Sequence, residues 1–570
     1  MDRSVIGHEG PGASASPAVR RFASIACVLL ACEGPHEPPV STHVADWRDQ
    51  VLYQIVVDRF DNGDPENDAA DGLAPVPGDL SRVQGGDWQG VIDRLDYLAR
   101  LGVTAIWISP PYRNVPRTER EDGYHGYWPA DFTEANPRFG SRERLRELVR
   151  EAHARGILVI LDVVPNHAGR VFTYDLDEDG AISPGEIEPP YRETPYGPLL
   201  WSERPRMFAP SPEGRVAITL EAEHFHRRGL GDLGAPAEKE LGDFPTGLRD
   251  LDTERAEVID MLVETHVWWV EETDVDGFRI DAVPHAGLAF WRAFCGRLRA
   301  RLAELGKERF LLLGEVFTSD PAELARYTEL DALDSAFAFD LKFDLIDGVI
   351  LSGQPPVTAR GALSTNRLFF PASPQPGGVE LDPWRARVTF ADNHDVWRLR
   401  GELDDPLAAQ IALVAALTTD GIPAIYYGTE QDLDGTAHHL SREALWEVGF
   451  GEEGATFRFL QRLIALRRGS RALRYGALTV RYLAESGGAS GASAPDVGMI
   501  AYERDFEGER ALVVINSAIT SSLARVRTSF VEGTLLYDGL EGTSSPWVVG
   551  AGGSLEIRLP GRAAVVLMPR

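Results

Sequence analysis

The sequence predicts an α/β protein built on a (β/α)8 barrel, followed by a separate antiparallel β domain. Three observations carry this. Short, uninterrupted apolar runs recur eight times between residues 51 and 427, as expected of parallel strands covered on both faces. Amphipathic stretches of helical length lie between them, and strand–helix alternation is the mark of an α/β architecture. Past residue 470 the pattern becomes alternating, as in LTVRYLAE, GMIAYER, ALVVINS and SLEIRLP, which reads as a β-sandwich.

The chain opens with a targeting segment, residues 1–32. Arg20 and Arg21 precede an apolar run, Phe22 to Ala31, which is too short to cross a bilayer as a helix and fits a signal-peptide core. It ends Leu29-Leu30-Ala31-Cys32, which resembles the lipobox of bacterial lipoproteins, with Cys32 the acylated residue. A plain secretory signal is the alternative. Both imply export from a bacterial cell, with the protein anchored at the envelope or secreted. Residues 33–46, rich in Pro and polar residues, read as a tether.

The eight strand-like runs are 51–57, 103–109, 157–162, 276–281, 310–315, 335–339, 387–392 and 421–427. Helices are expected at 88–101, 142–155, 253–272, 287–305, 405–419 and 456–468. A barrel of this kind takes roughly 250 residues plus insertions. The interval between the third and fourth runs is too long for one helix and leaves residues 168–249 as an inserted domain. The barrel then comprises 47–167 and 250–470, and the β domain 471–570.

Lys and Arg number 57 and Asp and Glu 87, for a net charge of −30. This balance argues against nucleic acid or an anionic membrane surface as partner, because both require clustered cations. Membrane contact is expected only through a lipid on Cys32, and a monomer is expected. Three cysteines, Cys27, Cys32 and Cys295, exclude a disulfide scaffold. GLGDLG (229–234) fits a dinucleotide-binding pattern, but no strand precedes it. His438 and His439 read as a rim pair rather than a metal site.

In a barrel the chemistry sits at the C-terminal ends of the strands. Those positions hold Asp162 with Asn166 and His167, then Arg279 and Asp281, then Glu315, then Asn393-His394-Asp395. Aromatic residues accompany them: Tyr124, His125, Tyr127 and Trp128 after the second run, and Phe317 beside Glu315. Converging carboxylates suit acid and nucleophilic work at an acetal carbon, and aromatic faces stack on sugar rings.

These stretches carry a resemblance. DVVPNH (162–167), GFRIDAVPH (277–285), LLGEVF (312–317) and FADNHD (390–395) resemble the four signature regions of the α-amylase family of glycoside hydrolases. YQIVVDRFDNGD, GGDWQG, YHGYW and GIPAIYYGTEQ add further matches in the family's order across residues 47–470. The resemblance implies a TIM barrel, an inserted domain B and a retaining mechanism on α-glucosidic bonds. By position it implies Asp281 as nucleophile, Glu315 as acid and base, and Asp395 as a binder of sugar hydroxyls. Arg279 would orient Asp281 and keep it ionised. His125, His167 and His394 would hydrogen-bond the sugar, with Tyr127, Trp128 and Phe317 beside it. A retaining pair is expected to stand roughly 5–5.5 Å apart.

Calcium is the expected cofactor, since clustered oxygen donors suit a hard cation. Asn62, Asp64, Asn67, Asp68, the Gly85 carbonyl and Asp87 resemble the first-loop site of cyclodextrin glycosyltransferases. The family implies a second site at Asn166, Asp250 and the His285 carbonyl. A third can be read from spacing alone. DLDEDGAISPGE (175–186) fits D-x-D-x-D-G-x5-E, with Asp175, Asp177, Asp179 and Glu186 at ligand positions and Gly180 at the turn. Its flanks, near Pro184, Pro189 and Pro190, look non-helical.

Departures from the family narrow the activity. Pro284 stands where many members carry a Lys on the acceptor side. Thr246 lies nearest the place of the central aromatic of cyclising enzymes. The leading expectation is an endo-acting α-amylase on starch, glycogen and maltooligosaccharides. The alternatives are an α-glucan transglycosylase, an exo-acting maltooligosaccharide hydrolase, or a non-catalytic glycan-binding lipoprotein.

Overall fold

Each barrel strand is a short run whose side chains alternate between two apolar environments. The computed structural model describes residues 40–570 apart from 437, 489–493 and 542–544; the expected targeting segment, 1–32, and part of the expected tether, 33–39, lie outside the described residues. The strands are β1 (Leu52–Ile55), β2 (Ala105–Ile108), β3 (Leu158–Val163), β4 (Gly277–Ile280), β5 (Leu311–Gly314), β6 (Ser335–Ala336), β7 (Val388–Phe390) and β8 (Ile422–Tyr426). All eight expected runs form strands. They pair in parallel in the order β6-β5-β4-β3-β2-β1-β8-β7, and a bridge from Phe337 to Val388 joins the two ends of the sheet. Leu52, Ala105, Leu158, Ile160, Leu311, Leu313, Val388 and Ile422 fill the interior. Tyr53, Ile55, Ile106, Val159, Leu161, Phe278 and Leu312 pack outward against the helices. This period of two is what carries polar residues to the inner face at the strand ends.

Five expected helices appear as Arg142–Ala154, Ala256–Thr273, Leu288–Glu304, Pro406–Thr418 and Ala455–Gly469. The sixth, expected over 88–101, is two pieces, Trp88–Asp93 and Leu95–Leu101. Arg94 leaves helical geometry between them (φ −104, ψ 4), and its guanidinium reaches Asp61 at 2.6 Å. After β6 the chain forms a π-helical segment, Leu341–Leu351, that the sequence reading did not identify.

Between β3 and β4 lie an antiparallel pair, Phe172–Tyr174 with Leu199–Trp201, a β-hairpin, Arg206–Ser211 with Gly214–Thr219, and a short helix, Pro236–Leu241. The second hairpin packs on the helix Ala256–Thr273: the Phe208 amide donates to Thr265 Oγ1 at 2.9 Å, and the Phe208 and Trp268 rings lie 4.8 Å apart. Beyond the barrel, a six-stranded sheet and a two-stranded pair face each other across a core of Leu512, Val514, Leu536, Ile557 and Leu567. The sheet's other face joins the barrel core through Ile500, Tyr502, Val513 and Ile515. Buried Arg504 fastens this contact by donating to the Thr418 and Thr419 carbonyls at 2.6 Å.

Candidate active site

Register builds the centre of the site. Arg279 on β4 stands directly across from Asp162 on β3. Asp281 lies two residues beyond Arg279, on the same face. Arg279 Nη1 meets Asp162 Oδ1 at 3.0 Å and Asp281 Oδ1 at 2.7 Å, and Nη2 meets Glu315 Oε2 at 3.1 Å. One guanidinium therefore serves three carboxylates from three neighbouring strands. Trp107 Nε1 and the Tyr127 hydroxyl also donate to Asp162 Oδ2, at 2.9 and 2.7 Å.

The backbone after Asp281 is bent to suit. Ala282 adopts a left-handed conformation (φ 52, ψ 36), costly for a residue with a Cβ. In exchange its amide donates to Glu315 Oε2 at 3.1 Å. Gly314, just before Glu315, admits no side chain: a Cβ there would stand 2.4 Å from Leu333 Cδ1.

Burial and crowding of negative charge set the protonation states. Asp281 is pushed up to about 7 by burial, with Glu315 and Asp395 adding to the rise against Arg279. Asp162 is pushed up to about 7 by burial and Asp281. Glu315 also rises, through burial and then the charges of Asp395 and Asp162. Arg279 was expected to keep Asp281 ionised; its single charge is divided among three acids, and burial with the neighbouring carboxylates lifts Asp281 against it. Asp395 goes the other way. Burial opposes its charge, but His394, Arg442 and Arg279 outweigh burial and hold it below the usual carboxylate range.

Asp281, Glu315 and Asp395 line a cleft of about 840 Å³, together with His125, Tyr127, Trp128, His167, Phe317, His394 and Arg442, while Asp162 is buried behind it. The histidines differ from expectation. His394 accepts from Gln54 Nε2 at Nδ1 (2.5 Å), and its Nε2 meets the Tyr127 hydroxyl at 2.9 Å and Asp395 Oδ2 at 3.2 Å. His167 Nε2 meets the Tyr127 carbonyl at 3.2 Å and its Nδ1 meets Asn166 Nδ2 at 3.3 Å. Both rings thus spend their nitrogens on the protein, and burial drives both pKa values down to about 3. His125 accepts at Nδ1 from the Tyr127 amide (3.0 Å), which makes its Nε2 a donor. The Tyr127 ring stacks on both His125 and His394, at 5.5 and 5.4 Å. Trp128 is buried and meets His125 edge-on at 4.7 Å. Phe317 stays half exposed at the rim, resting on Phe339 at 4.7 Å.

Arg442 was not found by sequence reasoning. It meets Asp395 Oδ1 at 3.2 Å, the His394 carbonyl at 3.0 Å and the Tyr124 hydroxyl at 3.2 Å. It sits in an irregular loop beyond β8, where no periodicity marks it.

The three places expected to hold a cation differ. In the first, Asn62 Oδ1 and Asn67 Oδ1 are buried oxygens without a protein donor. Gly85 (φ +107) lies so close that a Cβ would stand 2.8 Å from both Asn62 Nδ2 and Asp68 Oδ1. Asp87 Oδ2 accepts from the Asp64 amide and Asn67 Nδ2, at 2.8 and 3.1 Å. In the second, Asn166 Oδ1 is likewise buried and without a donor, while Asp250 Oδ2 is taken by His226 Nδ1 at 2.5 Å. His285 is held nearby, its ring 4.6 Å from that of Phe244. In the third, Asp175, Asp177 and Glu186 gather their oxygens within 4.8 Å of one another. Asp179 stands outside this group, and its Oδ1 accepts from the Ala181 amide at 2.7 Å. The flank is also helical for one turn, Pro184–Ile187, contrary to expectation, since Pro is well tolerated at a first helical position.

Known proteins share the sequence and fold of this chain. The α-amylase catalytic domain profile matches residues 54–202 and 235–455. The chain is 29% identical to an α-amylase of Streptomyces lividans over 86% of its own length and 57% of the relative's. It is 30% identical to a cyclomaltodextrin glucanotransferase of Geobacillus stearothermophilus over 86% of its own length and 62% of the relative's. It thus spans about three fifths of these relatives. An Anoxybacillus α-amylase structure superposes with a TM-score of 0.72 at 28% identity, covering 92% of this chain and 99% of that one. A three-domain cyclomaltodextrin glucanotransferase gives 0.74 at 26% identity, covering 91% and 99%. The chain belongs to the α-amylase family of glycoside hydrolases.

Proposed function

We propose that the protein is a retaining α-glucan hydrolase that cleaves α-1,4 bonds of starch, glycogen and maltooligosaccharides. The observation that carries this is the Arg279 guanidinium held between Asp281 and Glu315. Asp281 has the shorter contact and is the nucleophile: its Oδ attacks the anomeric carbon while Glu315 gives its proton to the departing glycosidic oxygen. In the second half, Glu315 takes a proton from water, the water oxygen bonds to the anomeric carbon, and the Asp281 ester bond breaks. Asp395, kept anionic by His394 and Arg442, accepts hydrogen bonds from sugar hydroxyls, and the His125 Nε2–H donates one. Loss of starch hydrolysis in Asp281→Asn with retained maltooligosaccharide binding tests this reading; near-wild-type turnover would reject it. Transglycosylation uses the same acids and would show as products longer than the substrate supplied.

Calcium belongs to this reading. Asn62, Asp64, Asn67, Asp68, the Gly85 carbonyl and Asp87 would hold one ion. Asn166, Asp250 and the His285 carbonyl would hold a second. Asp175, Asp177 and Glu186 would hold a third. The buried, donor-free oxygens of Asn62, Asn67 and Asn166 support the first two, since a cation satisfies an acceptor that nothing else reaches. The ions would fix loops and would not take part in bond breaking. We read residues 1–32 as an export signal with Cys32 as a lipid anchor at the bacterial envelope, and the protein as a monomer. Whether the cut falls inside a glucan or at its end depends on how the cleft terminates.

A further inference from the structure

Residues 40–46, read from the sequence as the end of a tether, are held against the barrel at the N-terminal ends of β4 and β5. Thr42 Oγ1 accepts from the Glu308 amide at 2.6 Å, and the Ser41 amide donates to Asp274 Oδ1 at 2.9 Å. Val44 and Trp47 are buried with the side chains of the barrel interior. Asp276 precedes β4 and Asp281 follows it, so five residue steps of strand, roughly 16 Å, separate this face from the catalytic acids.

Two histidine–carboxylate pairs lie side by side here. His43 Nε2 meets Asp274 Oδ2 at 2.8 Å. His153, in the last turn of the helix Arg142–Ala154, meets Asp276 Oδ2 through Nε2 at 2.8 Å. The centroids of the two rings are 3.8 Å apart. Buried Lys307 takes the other oxygen of each carboxylate, Asp274 Oδ1 at 2.7 Å and Asp276 Oδ1 at 3.2 Å, and the Val159 amide fixes Asp276 Oδ2 at 2.9 Å. Two carboxylates against one lysine leave the cluster negative when both rings are neutral. Ligating atoms of His43, His153 and Asp276 all lie within 4.8 Å of one another. Donors around a tetrahedral ion stand roughly 3.4 Å apart, so small side-chain rotations gather these three about one centre. Imidazole nitrogens with a carboxylate oxygen suit zinc, whereas calcium wants oxygens alone. The His43 side chain is 32% exposed, which gives the ion a way in.

We propose that His43, His153 and Asp276 bind one zinc-class divalent ion, which staples the segment before β1 to the helix Arg142–Ala154 and to the start of β4. The ion takes the place of the hydrogen between His153 Nε2 and Asp276 Oδ2, the neutral ring carrying its hydrogen on Nδ1 instead. Asp274 orients the His43 ring, as outer carboxylates do at zinc sites. The ion fastens the fold and takes no part in bond breaking, so the proposal is independent of the roles given to Asp281 and Glu315.

The test is zinc binding by the full chain in excess calcium, read by equilibrium dialysis and elemental analysis. At about 1 µM free zinc the wild type is expected to hold one zinc ion more per chain than His43→Ala or His153→Ala. Zinc at about 100 times its Kd is expected to raise the wild-type Tm by about 2 °C and to leave both variants unmoved. Circular dichroism checks that the variants are folded; His43 is exposed enough that His43→Ala decides the matter if His153→Ala unfolds. Equal zinc content in the wild type and either folded variant would overturn the proposal. A wild-type melting transition indifferent to zinc would overturn it too.

Discussion

Arg279 and Asp281 stand two residues apart on one strand and meet at 2.7 Å, while the other terminal nitrogen of the same guanidinium holds Glu315 at 3.1 Å. One cation thereby fixes two acids from adjacent strands without neutralising either fully. Attack needs Asp281 as an anion and departure needs a protonated Glu315. A shared cation with a surplus of carboxylates raises both acids, and the reaction runs from the state in which the one proton sits on Glu315.

Removing the acid should be rescued by a better leaving group. Glu315→Gln is expected to lower kcat on maltoheptaose by about 10²–10⁴-fold, the usual worth of general acid catalysis. On α-maltosyl fluoride, whose leaving group needs no proton, most of the first-step rate should return. Asp281→Asn should show no such rescue. Equal loss on both substrates for Glu315→Gln would remove it from the acid role.

The site should cost stability at neutral and higher pH. Asp281 sits at about 7 in the folded protein against a usual 3.8, so folding favours its protonated form. Its contribution to stability is fully present below about pH 4 and is lost as pH rises through about 7. Asp281→Asn carries no such titration. Its Tm should exceed that of the wild type at pH 8 by about 2–4 °C, with the gap closing toward pH 4. A gap independent of pH would contradict this.

Arg442 should matter through Asp395. Arg442→Leu leaves the Asp395 carboxylate, whose side chain is 29% exposed, with one partner fewer, at a cost of about 1.5 kcal/mol, the low end for a charged hydrogen bond. The expected result is a fall of about 10–100-fold in kcat/KM, with the acidic limb of the pH profile moved to higher pH as the Asp395 pKa rises. Arg442→Lys should recover part of the shift. An unmoved limb would assign Arg442 to loop packing alone.

Chelation should destabilise the fold. Calcium present at about 100 times its Kd stabilises by about 2.7 kcal/mol, so EDTA should lower the Tm measurably. Asn67→Ala should weaken binding at the first pocket and shrink the EDTA effect. An unchanged melting transition, with no calcium found by elemental analysis, would refute the calcium assignment.

The parts of the site on strands were legible in the sequence, because period two and parallel register govern them. Arg279 and Asp281 share a face by spacing, and Asp162 and Glu315 end the apolar runs on either side of theirs. What depends on loops was not legible. Arg442 lies in an irregular segment, and its partners are 47 and 318 residues distant. The engaged nitrogens of His167 and His394 were hidden for the same reason: a histidine's free valence depends on neighbours brought by other strands, here Gln54 and Tyr127. In the acidic loop expected to hold a cation, Asp175, Asp177 and Glu186 come together while Asp179 stands apart, a difference the spacing does not show. The π-helical segment carries apolar residues without a clean 3.6 period, and so gave no helical signal.

The most direct measurement is the identification of the glycosylated residue. The wild-type protein would be incubated with 5-fluoro-α-D-glucosyl fluoride, which slows the second step more than the first, then quenched, digested and analysed by tandem mass spectrometry. A 5-fluoroglucosyl adduct on Asp281 is the predicted result. An adduct on Glu315 or Asp395, or efficient turnover with first-formed products of inverted anomeric configuration, would contradict the account.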